Sequence, residues 1–372
     1  MNFVASSNSL LKQLQSINGV VASNNLLPIL EDFLFNLQDG KLHLTATDID
    51  TSMSTEINVE SKSNGKIAIP AKMLLEILKS LPEQPVNFNI DEESFSVELK
   101  SEYGKYKLAG ENGDDFPKIP VEDDVKEIEI SAETLFRGLT STQLAVSDDE
   151  LRPAMTGILF QIDENGLTMV STDAHKLVRF RKTDIKTDKP AQFILPKKAA
   201  QLLRNNLTGE DSVVRVAFNN KHAFFTFKSM QIICRLIDAK FPDYNSVIPV
   251  ENPFKMLIEK KDLTGSLKRV MIFSNKSTNQ VSLKISGNNL KISGQDIEFY
   301  NEAQESLTCN YEGEDIEIGF NAKFLSEMLG VLETDQVSFN LSAPNRAALL
   351  FPDKQQENED ILMLIMPLMI RS

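Results

Sequence analysis

The sequence predicts an α+β fold built from three tandem copies of one domain, each with two helices and an antiparallel sheet. Its length of 372 residues suits two or three domains better than one. Three stretches resemble one another as strands that end at an acidic corner, at 39–55, 164–180 and 287–303. The corner aspartates are 125 and 123 residues apart, at Asp48, Asp173 and Asp296. Such a regular spacing indicates an internal repeat.

Two helices and a strand keep the same period. One amphipathic helix is predicted in each copy, at 7–18, 132–143 and 261–271. A second helix begins in each copy just after Pro70, Pro196 and Asn321. An alternating strand follows that second helix, at 86–90, 213–216 and 337–341. Pro- and acid-rich connectors at 116–124 and 241–253 separate the copies, so the predicted domains are 1–125, 126–250 and 251–372.

The composition is that of a soluble globular protein, with 41% hydrophobic and 25% charged residues. No run of 18 apolar residues occurs, and the N-terminus has no basic segment before an apolar one. We therefore expect no transmembrane helix, no signal peptide and no membrane partner. The two cysteines, Cys234 and Cys309, are far apart and fit free core thiols in a reducing cytoplasm. The acidic segment 353–360 is predicted to be a solvated loop.

Charge is distributed unevenly between the predicted helices and the rest of the chain. The six helical windows together carry a net charge of +7, which leaves −21 elsewhere in a chain of net charge −14. One interpretation is that lysine is simply common on helix surfaces. The other is that the helices face a polyanion through sequence-independent, salt-sensitive contacts. The candidate basic residues are Lys12, Lys72, Lys79, Arg137, Lys197, Lys198, Arg204, Lys268, Arg269 and Lys323.

An enzymatic function has little support in the sequence. Asp173 and His175 are close together, but no nucleophile motif, phosphate-binding loop or His/Cys metal-ligand pattern accompanies them. The aspartate recurs at the other corners without the histidine, which favours a structural role in capping a turn. We therefore predict no catalytic residue, no metal and no cofactor. A peptide-binding adaptor that does not bind DNA is a further alternative.

The repeat and several short motifs together resemble the bacterial sliding-clamp family, the beta subunits of DNA polymerase III. These motifs are Leu27-Pro28-Ile29-Leu30, Thr45-Ala46-Thr47-Asp48, Ser171-Thr172-Asp173-Ala174-His175-Lys176-Leu177, Phe241-Pro242-Asp243-Tyr244 and Met366-Pro367. The resemblance covers essentially the whole chain. It implies a head-to-tail homodimeric ring of six clamp domains, with twelve helices around duplex DNA. It also implies a non-catalytic processivity factor that an ATP-dependent clamp loader opens and closes.

Closing such a ring requires the first domain of one protomer to meet the third domain of the other. The resemblance implies an interface that includes Tyr106, Leu108, Ile272 and Phe273. The alternative for all four is a place in the core of their own domain.

The resemblance also implies a cleft for short peptides of partner proteins. Those partners are the DNA polymerase III alpha subunit, the clamp loader delta subunit, and other polymerases and repair proteins. The matching positions are Met155, Thr172, Ala174, His175, Lys176, Leu177, Pro242, Val247, Leu364, Met366, Pro367 and Leu368. The alternative for 361–370 is a buried last strand, and both can hold if only its end is exposed.

The chain departs from the family pattern at several places. The family often has Gly at Ala174 and Arg at Lys176 and Ser246, so the peptide preference of the cleft is left open. Residues 368–372 continue beyond the usual ending. Asn24 and Asn25 stand where some clamps place a basic DNA contact, and Pro153-Ala154 replaces an aromatic pair. We therefore assign no DNA contact at Pro153-Ala154, and the neutral pair Asn24 and Asn25 could only hydrogen-bond phosphate.

Overall fold

The structure, a computed structural model, describes residues 1–21, 27–61 and 63–370. Within them lie six α-helices: α1 Ser7–Ile17, α2 Ala71–Ser80, α3 Ala132–Gln143, α4 Lys197–Asn206, α5 Lys260–Met271 and α6 Ala322–Val331. Asn24 and Asn25 fall outside the described residues, as do the last two residues of the extended C-terminus. None of the described helices is long and apolar enough to span a membrane.

The strands alternate with these helices along the chain. The first copy contains β1 Asn2–Ser6, β2 Asp32–Gln38, β3 Lys41–Thr47, β4 Thr51–Asn58, β5 Glu60–Ser61, β6 Gly65–Pro70, β7 Pro85–Ile90, β8 Ser96–Lys100, β9 Lys105–Ala109 and β10 Glu111–Asn112. The second contains β11 Lys126–Ser131, β12 Gly157–Asp163, β13 Gly166–Thr172, β14 Lys176–Lys182, β15 Ala191–Pro196, β16 Val213–Phe218, β17 His222–Phe227 and β18 Met230–Arg235. The third contains β19 Phe254–Glu259, β20 Gln280–Ser286, β21 Asn289–Asp296, β22 Asn301–Thr308, β23 Asn310–Glu312, β24 Ile316–Asn321, β25 Gln336–Leu341, β26 Ala348–Pro352 and β27 Glu359–Ile365.

The chain forms two compact units, and the division passes through the second repeat. Unit 1 comprises Met1–Leu135 and Gln201–Leu236, whereas unit 2 comprises Phe136–Ala200 and Ile237–Ser372. The described part of each unit contains one nine-stranded sheet and one smaller sheet. The three sequence repeats remain the predicted domains, but hydrogen-bonded sheets cross the borders between them.

In unit 1, a nine-stranded antiparallel sheet runs in the order β10-β6-β2-β3-β4-β18-β17-β16-β11. Strands β4 and β18 join the first repeat to the second through four paired residues, from Gln231↔Ser54 to Cys234↔Thr51. The smaller sheet has the order β5-β1-β7-β8-β9, which leaves β9 at an edge. Helices α1 and α2 pack against each other, and α1 also contacts β3 and β4.

In unit 2, the nine-stranded sheet has the order β15-β12-β13-β14-β27-β26-β25-β19-β23. Strands β14 and β27 join the second repeat to the third through seven paired residues, from Lys176↔Ile365 to Lys182↔Glu359. The smaller sheet has the order β22-β21-β20-β24. Helices α5 and α6 pack against each other, and α5 contacts β21 and β22.

Helix caps and apolar faces explain why these segments are helical. Helix α3 has the predicted bounds, and the Ser131 hydroxyl accepts a hydrogen bond from the Thr134 N–H (3.2 Å) at its start. Asn321 caps α6 in the same way, by accepting from the Lys323 and Phe324 N–H groups. The apolar face of α1 is buried at Leu10, Leu14 and Ile17, as the periodicity predicts.

Candidate functional site

The acidic corner between β13 and β14 is fixed by hydrogen bonds to its own backbone. The Asp173 Oδ1 accepts from the N–H groups of His175 (2.9 Å) and Lys176 (2.8 Å). The Thr172 hydroxyl donates to the Lys176 carbonyl (2.8 Å) and accepts from the Ala174 N–H (3.2 Å). Ala174 has a φ of 73°, a left-handed conformation that glycine adopts more readily. The corner exposes Ala174 and His175 at the end of the sheet.

The corner between β3 and β4 repeats this construction in unit 1. The Asp48 Oδ1 accepts from the Thr51 N–H (2.6 Å), and the Thr47 hydroxyl donates to the Thr51 carbonyl (3.1 Å). Thr47 also accepts from the N–H of Ile49, whose φ is 82°. The third copy is reduced, because among the described residues only the Glu298 N–H is found to donate to Asp296 (3.2 Å), and no threonine precedes it. The expected role of the aspartates in capping turns is confirmed.

Several predicted cleft residues meet at one end of the unit 2 sheet. Met366 follows β27, and its N–H donates to the His175 carbonyl (2.8 Å). Leu177 and Leu364 are register partners, and both are buried in an apolar cluster with Tyr244. The surface beside them is partly apolar, since Val247 is 55% and Met366 is 42% exposed. The buried-strand alternative is therefore correct for 361–365, while the chain emerges at Met366.

The other predicted cleft residues surround this sheet end. Thr172 is buried in the corner, Pro242 is exposed and Met155 is half-buried. Phe241 and Ile248, on either side of Pro242 and Val247, pack against the apolar cluster. The connector between the second and third repeats therefore lies on the same face as Leu177 and Leu364.

Lys176, one of the predicted cleft residues, has a buried side chain. The Nζ atom lies 3.0 Å from Glu327 Oε2 and 3.6 Å from Asp173 Oδ2. It also lies 4.0 Å from the centre of the Phe324 ring, in a cation–π contact. Phe324 was missed at the sequence level, although its place at the start of α6, beside the Asn321 cap, was a usable signal. The ammonium group of Lys176 thus holds α6 to the corner.

The chain after Met366 continues along the open edge of β24. The Leu368 N–H donates to the Gly319 carbonyl (2.8 Å), and Gln280 Nε2 donates to the Met369 carbonyl (3.1 Å). A side chain at Gly319 would meet the Leu368 carbonyl oxygen at 2.6 Å, so glycine permits this close approach. Residues 366–370 therefore connect the end of one sheet to the edge of the other within unit 2.

The predicted basic residues fall into two groups according to their partners. Arg137 is 14% exposed; its Nη2 is 2.7 Å from Glu359 Oε1, and it also pairs with Glu333. Lys197 pairs with Asp148 (2.6 Å), and Arg269 forms two bonds to Glu305 (2.7 Å each). These pairings reduce the charge that Arg137, above all, can offer to phosphate. The exposed lysines for which no ion pair is found among the described residues are Lys12, Lys72, Lys79, Lys268 and Lys323.

Two further residues of the predicted basic set, Lys198 and Arg204, have different surroundings. Lys198 is exposed and already interacts within the protein, and Arg204 is half-buried. The solvated loop predicted at 353–360 is confirmed for 353–358, which are exposed and outside any strand, and is wrong for Glu359. It is buried at the start of β27, because Arg137 compensates its charge.

The predicted interface residues lie near two sheet edges. Ile272 and Phe273 follow α5 and are 63% and 40% exposed, so the core alternative is wrong for this pair. Leu108 is buried and Tyr106 half-buried on β9, so the core alternative holds for Leu108.

The ionisable groups of the described residues include two buried thiols and no cluster that could hold a metal ion. No group of three His, Cys, Asp or Glu side chains there could hold a metal ion. Both thiols are buried and free, and burial raises the pKa of Cys234 to about 12 and raises that of Cys309. Neither cysteine has the depressed pKa of a nucleophile.

Comparison with known proteins places the chain in one family along its whole length. Family models of the DNA polymerase III beta subunit match residues 1–120 (N-terminal domain), 129–243 (central domain) and 245–369 (C-terminal domain). The beta sliding clamp of Pseudomonas putida is 30% identical over 99% of this chain and 100% of its own length. That of Vibrio cholerae is 29% identical over the same shares of both chains.

Solved structures agree with this assignment. The DnaN sliding clamp of Pseudomonas aeruginosa bound to griselimycin has a TM-score of 0.94 at 29% identity, with both chains fully covered. The DnaN sliding clamp of Bartonella birtlesii has a TM-score of 0.92 at 28% identity, again with full coverage. The repeated corners, the paired helices and these full-length matches show that the chain belongs to the family of bacterial beta sliding clamps, the non-catalytic processivity subunits of DNA polymerase III.

Proposed function

We propose that two copies of this chain close head to tail around duplex DNA and slide along it while they tether polymerases. The observation that carries the proposal is the match to beta sliding clamps over the whole chain. Each predicted domain, 1–125, 126–250 and 251–372, would contribute two helices toward the DNA. An ATP-dependent clamp loader would open and close the ring in the cytoplasm.

Two complementary sheet edges support a head-to-tail dimer. Strand β9 is an edge of its sheet and exposes Lys105 and Lys107. Strand β22 is an edge of the smaller sheet of unit 2 and exposes Glu302. Its other edge, β24, is already bridged by the C-terminal segment at Gly319↔Leu368. Pairing β9 of one protomer with β22 of the other would satisfy both open edges and match their charges.

The apolar residues near these edges would form the centre of the interface. Ile272 and Phe273 are exposed and follow α5 directly. Strand β22 lies near this helix, because its Ala303 is in register with Gly294 of β21, and Gly294 lies against Val270 of α5. Tyr106 on β9 would supply the facing aromatic side chain. Exposed apolar residues of this size beside an open strand favour protein–protein contact over contact with solvent.

Contacts with DNA would be weak, numerous and independent of sequence. Exposed lysines on α1, α2, α5 and α6 can approach phosphates without reading bases. Closure around the duplex, rather than affinity, would then keep the protein on DNA. Short-range ammonium–phosphate contacts that exchange with counterions are compatible with sliding.

Partner peptides would bind at the end of the unit 2 sheet. The exposed Val247 and Met366, next to buried Leu177 and Leu364, form an apolar surface, and His175 adds a polar group. Methionine adapts to different ligands, which suits a site shared by several partners. We propose that the DNA polymerase III alpha subunit, the clamp loader delta subunit and other polymerases or repair proteins bind here.

Retention on DNA of different topology tests the ring. The clamp is loaded onto a nicked circular plasmid with the clamp loader and ATP, and the bound fraction is measured by gel filtration. We expect retention on the circle and loss within minutes once a restriction enzyme linearises it. Equal retention on both forms would contradict encirclement. A protein that never associates with the circle would instead fit the adaptor alternative.

Point substitutions test the cleft. His175→Ala and Met366→Ala should each weaken binding of the alpha subunit about tenfold or more, because both side chains are exposed where an anchor would sit. Leu177→Ala is a poorer probe, since Leu177 is buried and its loss would disturb the core. Unchanged alpha-subunit affinity in both exposed variants, with the dimer intact, would place the cleft elsewhere.

A further inference from the structure

Register places an exposed arginine at the same sheet end as the proposed cleft. Lys176 and Ala348 are both register partners of Ile365, on β14 and β26 respectively. One position further along this row stand His175, Met366 and Ala347, and Arg346 comes next. Because neighbouring strands are about 4.8 Å apart, the backbone of 346–347 lies roughly 10 Å from His175. Arg346 is therefore within side-chain reach of a peptide that lies over Met366.

The turn before β26 holds the backbone of Arg346 while leaving its side chain in solvent. Its N–H donates to the Ala343 carbonyl (3.1 Å), which closes a turn. The next residue, Ala347, is buried in the apolar cluster with Leu177 and Leu364. Arg346 is exposed, and no ion pair to its guanidinium is found among the described residues. Arg346 thus directly precedes, along the chain, a residue of the apolar floor of the cleft.

The other basic residue of this row does not offer a comparable charge. Lys176 is buried, and its ammonium is held by Glu327 and Asp173. Asp243, an exposed carboxylate of the connector, already accepts from the Asn245 N–H (3.2 Å). Arg346, exposed and without an ion pair among the described residues, is thus the cation of this row that is available to a ligand. A long guanidinium side chain can also lay its stem along apolar surface while its head pairs with an anion.

We propose that Arg346 selects partner peptides that carry a carboxylate next to their apolar anchors, by pairing with that carboxylate across Met366. The inference rests on the proposed cleft and deepens it by stating what its occupant must contain. Arginine suits the role because its planar guanidinium binds a carboxylate through two parallel bonds. The carboxylate belongs either to an Asp or Glu side chain or to the C-terminus of the partner. An ion pair at the rim mainly sets orientation and association rate.

Binding of the intact alpha subunit from the same cells to the intact clamp tests this inference. We expect Arg346→Glu to weaken binding about tenfold at 50 mM salt, chiefly through slower association, and Arg346→Lys to lose less. The difference between wild type and Arg346→Glu should shrink at 500 mM salt, where charges are screened. Lys354→Glu is the matched control, because Lys354 is an exposed cation in the loop at the opposite end of the β26–β27 pair. It should bind like wild type.

Variants of the alpha subunit identify the carboxylate. If a side chain is read, one Asp→Asn or Glu→Gln change in its clamp-binding segment should weaken binding to wild type but not to Arg346→Glu. If the terminal carboxylate is read, extending the C-terminus should do the same. If Met366→Ala abolishes binding while Arg346→Glu leaves it unchanged or strengthens it, the inference is overturned and the proposed cleft is not. Binding unaffected by Met366→Ala, His175→Ala and Arg346→Glu together would overturn the proposed cleft as well.

Discussion

The corners at Asp48 and Asp173 share a backbone and differ in surface chemistry. In unit 1, the Arg235 N–H donates to the Asp50 carbonyl (2.8 Å), and in unit 2 the Met366 N–H donates to the His175 carbonyl (2.8 Å). The hydrogen bonds of Thr47 and Asp48 match those of Thr172 and Asp173. The repeat therefore reproduces the whole corner, including its hydrogen bond to the end of the neighbouring strand, which is β18 in unit 1 and β27 in unit 2.

The exposed side chains at the two corners differ in charge and polarity. Unit 1 presents Asp50 and Arg235, two exposed charges whose nearest atoms are 3.9 Å apart. Unit 2 presents His175 and Met366 over an apolar cluster. The surface proposed for peptides in unit 2 therefore has no equivalent at Asp50 and Arg235 of unit 1, although Ile49 is exposed nearby. The comparison teaches that the backbone corner is architectural and that the proposed binding would depend on the few residues that differ.

The junctions beside the corners differ as well. The β4–β18 junction has four residue pairs and a hydroxyl contact between Thr55 and Ser229 (3.4 Å). The β14–β27 junction has seven residue pairs, with Arg179 bonded to Asp360 (2.6 Å) and Arg137 bonded to Glu359. Unit 2 therefore relies on partly buried ion pairs where unit 1 relies on short-chain polar contacts. Three predictions follow from this contrast, in order of expected effect.

Removal of Arg137 should affect stability most. Arg137→Ala would leave Glu359, whose side chain is 3% exposed, without its cation, at a cost of about 3–5 kcal/mol. Urea unfolding followed by circular dichroism measures the change. In unit 1, Arg235→Ala is the matched control and should have little effect, because both members of its pair are exposed.

A double substitution separates the ion pair from packing. Arg137→Met with Glu359→Gln removes both charges at similar volume and should recover most of the loss. If Arg137→Ala unfolds like wild type, the contrast between the two junctions is not energetic.

A buried carboxylate in unit 1 provides the second prediction. Asp32 is 5% exposed, and its Oδ2 has no hydrogen-bond partner among the described residues. Burial, followed by the charges of Glu111 and Glu31, raises its pKa from 3.8 to about 7. Because the folded-state pKa is raised, stability is highest below about pH 4 for this group and is lost as the pH rises through 7.

The change Asp32→Asn should remove that loss. Between pH 5 and pH 8, wild type should lose about 2–4 kcal/mol more than Asp32→Asn in urea unfolding. Hydrogen exchange in β2 and β6 locates the effect, since Asp32 pairs with Pro70 between them. If the free energy of unfolding changes equally with pH in wild type and in Asp32→Asn, Asp32 is adequately solvated or paired.

The smallest effect concerns the left-handed residues of the corners. Ile49 is β-branched and has a φ of 82°, so Ile49→Gly should stabilise unit 1 by about 1 kcal/mol. Ala174→Gly should give about 0.5 kcal/mol or less, since alanine is less strained there. Thermal unfolding measures both. Asp39→Gly is the control, because aspartate tolerates its φ of 49°. Destabilisation by Ile49→Gly would mean that its side chain contributes packing that its exposure does not suggest.

Local patterns predicted the elements of this fold well. The bounds of α3 agree with the periodicity, α1 ends one residue early and α5 starts one residue early. Caps and apolar faces are encoded within about ten residues, so the sequence displays them directly. The corner aspartates were recognisable because their turns form with backbone groups two or three residues away.

Partners from distant parts of the chain could not be predicted in this way. The ion pairs of Lys176 with Glu327 and of Arg137 with Glu359 span 151 and 222 residues. No local pattern indicates that a basic residue on a helix surface will be neutralised by a strand of another repeat. The sequence therefore could not show that Arg137 of α3 and Lys176 of β14 are held by carboxylates of another repeat. Sheet pairing across the repeats was missed for the same reason.

The continuous nine-stranded sheets have a consequence for cutting or recombining this chain. Cleavage at a repeat border would separate β4 from β18 or β14 from β27 and leave long unpaired edges. Isolated repeats made as fragments would then tend to aggregate through those edges. Duplication of an ancestral gene can explain the period in the sequence, yet the two compact units of the structure do not coincide with the duplicated segment. Grafts between homologous clamps would be better placed in the loops at the ends of α3 and α4 than in the connectors.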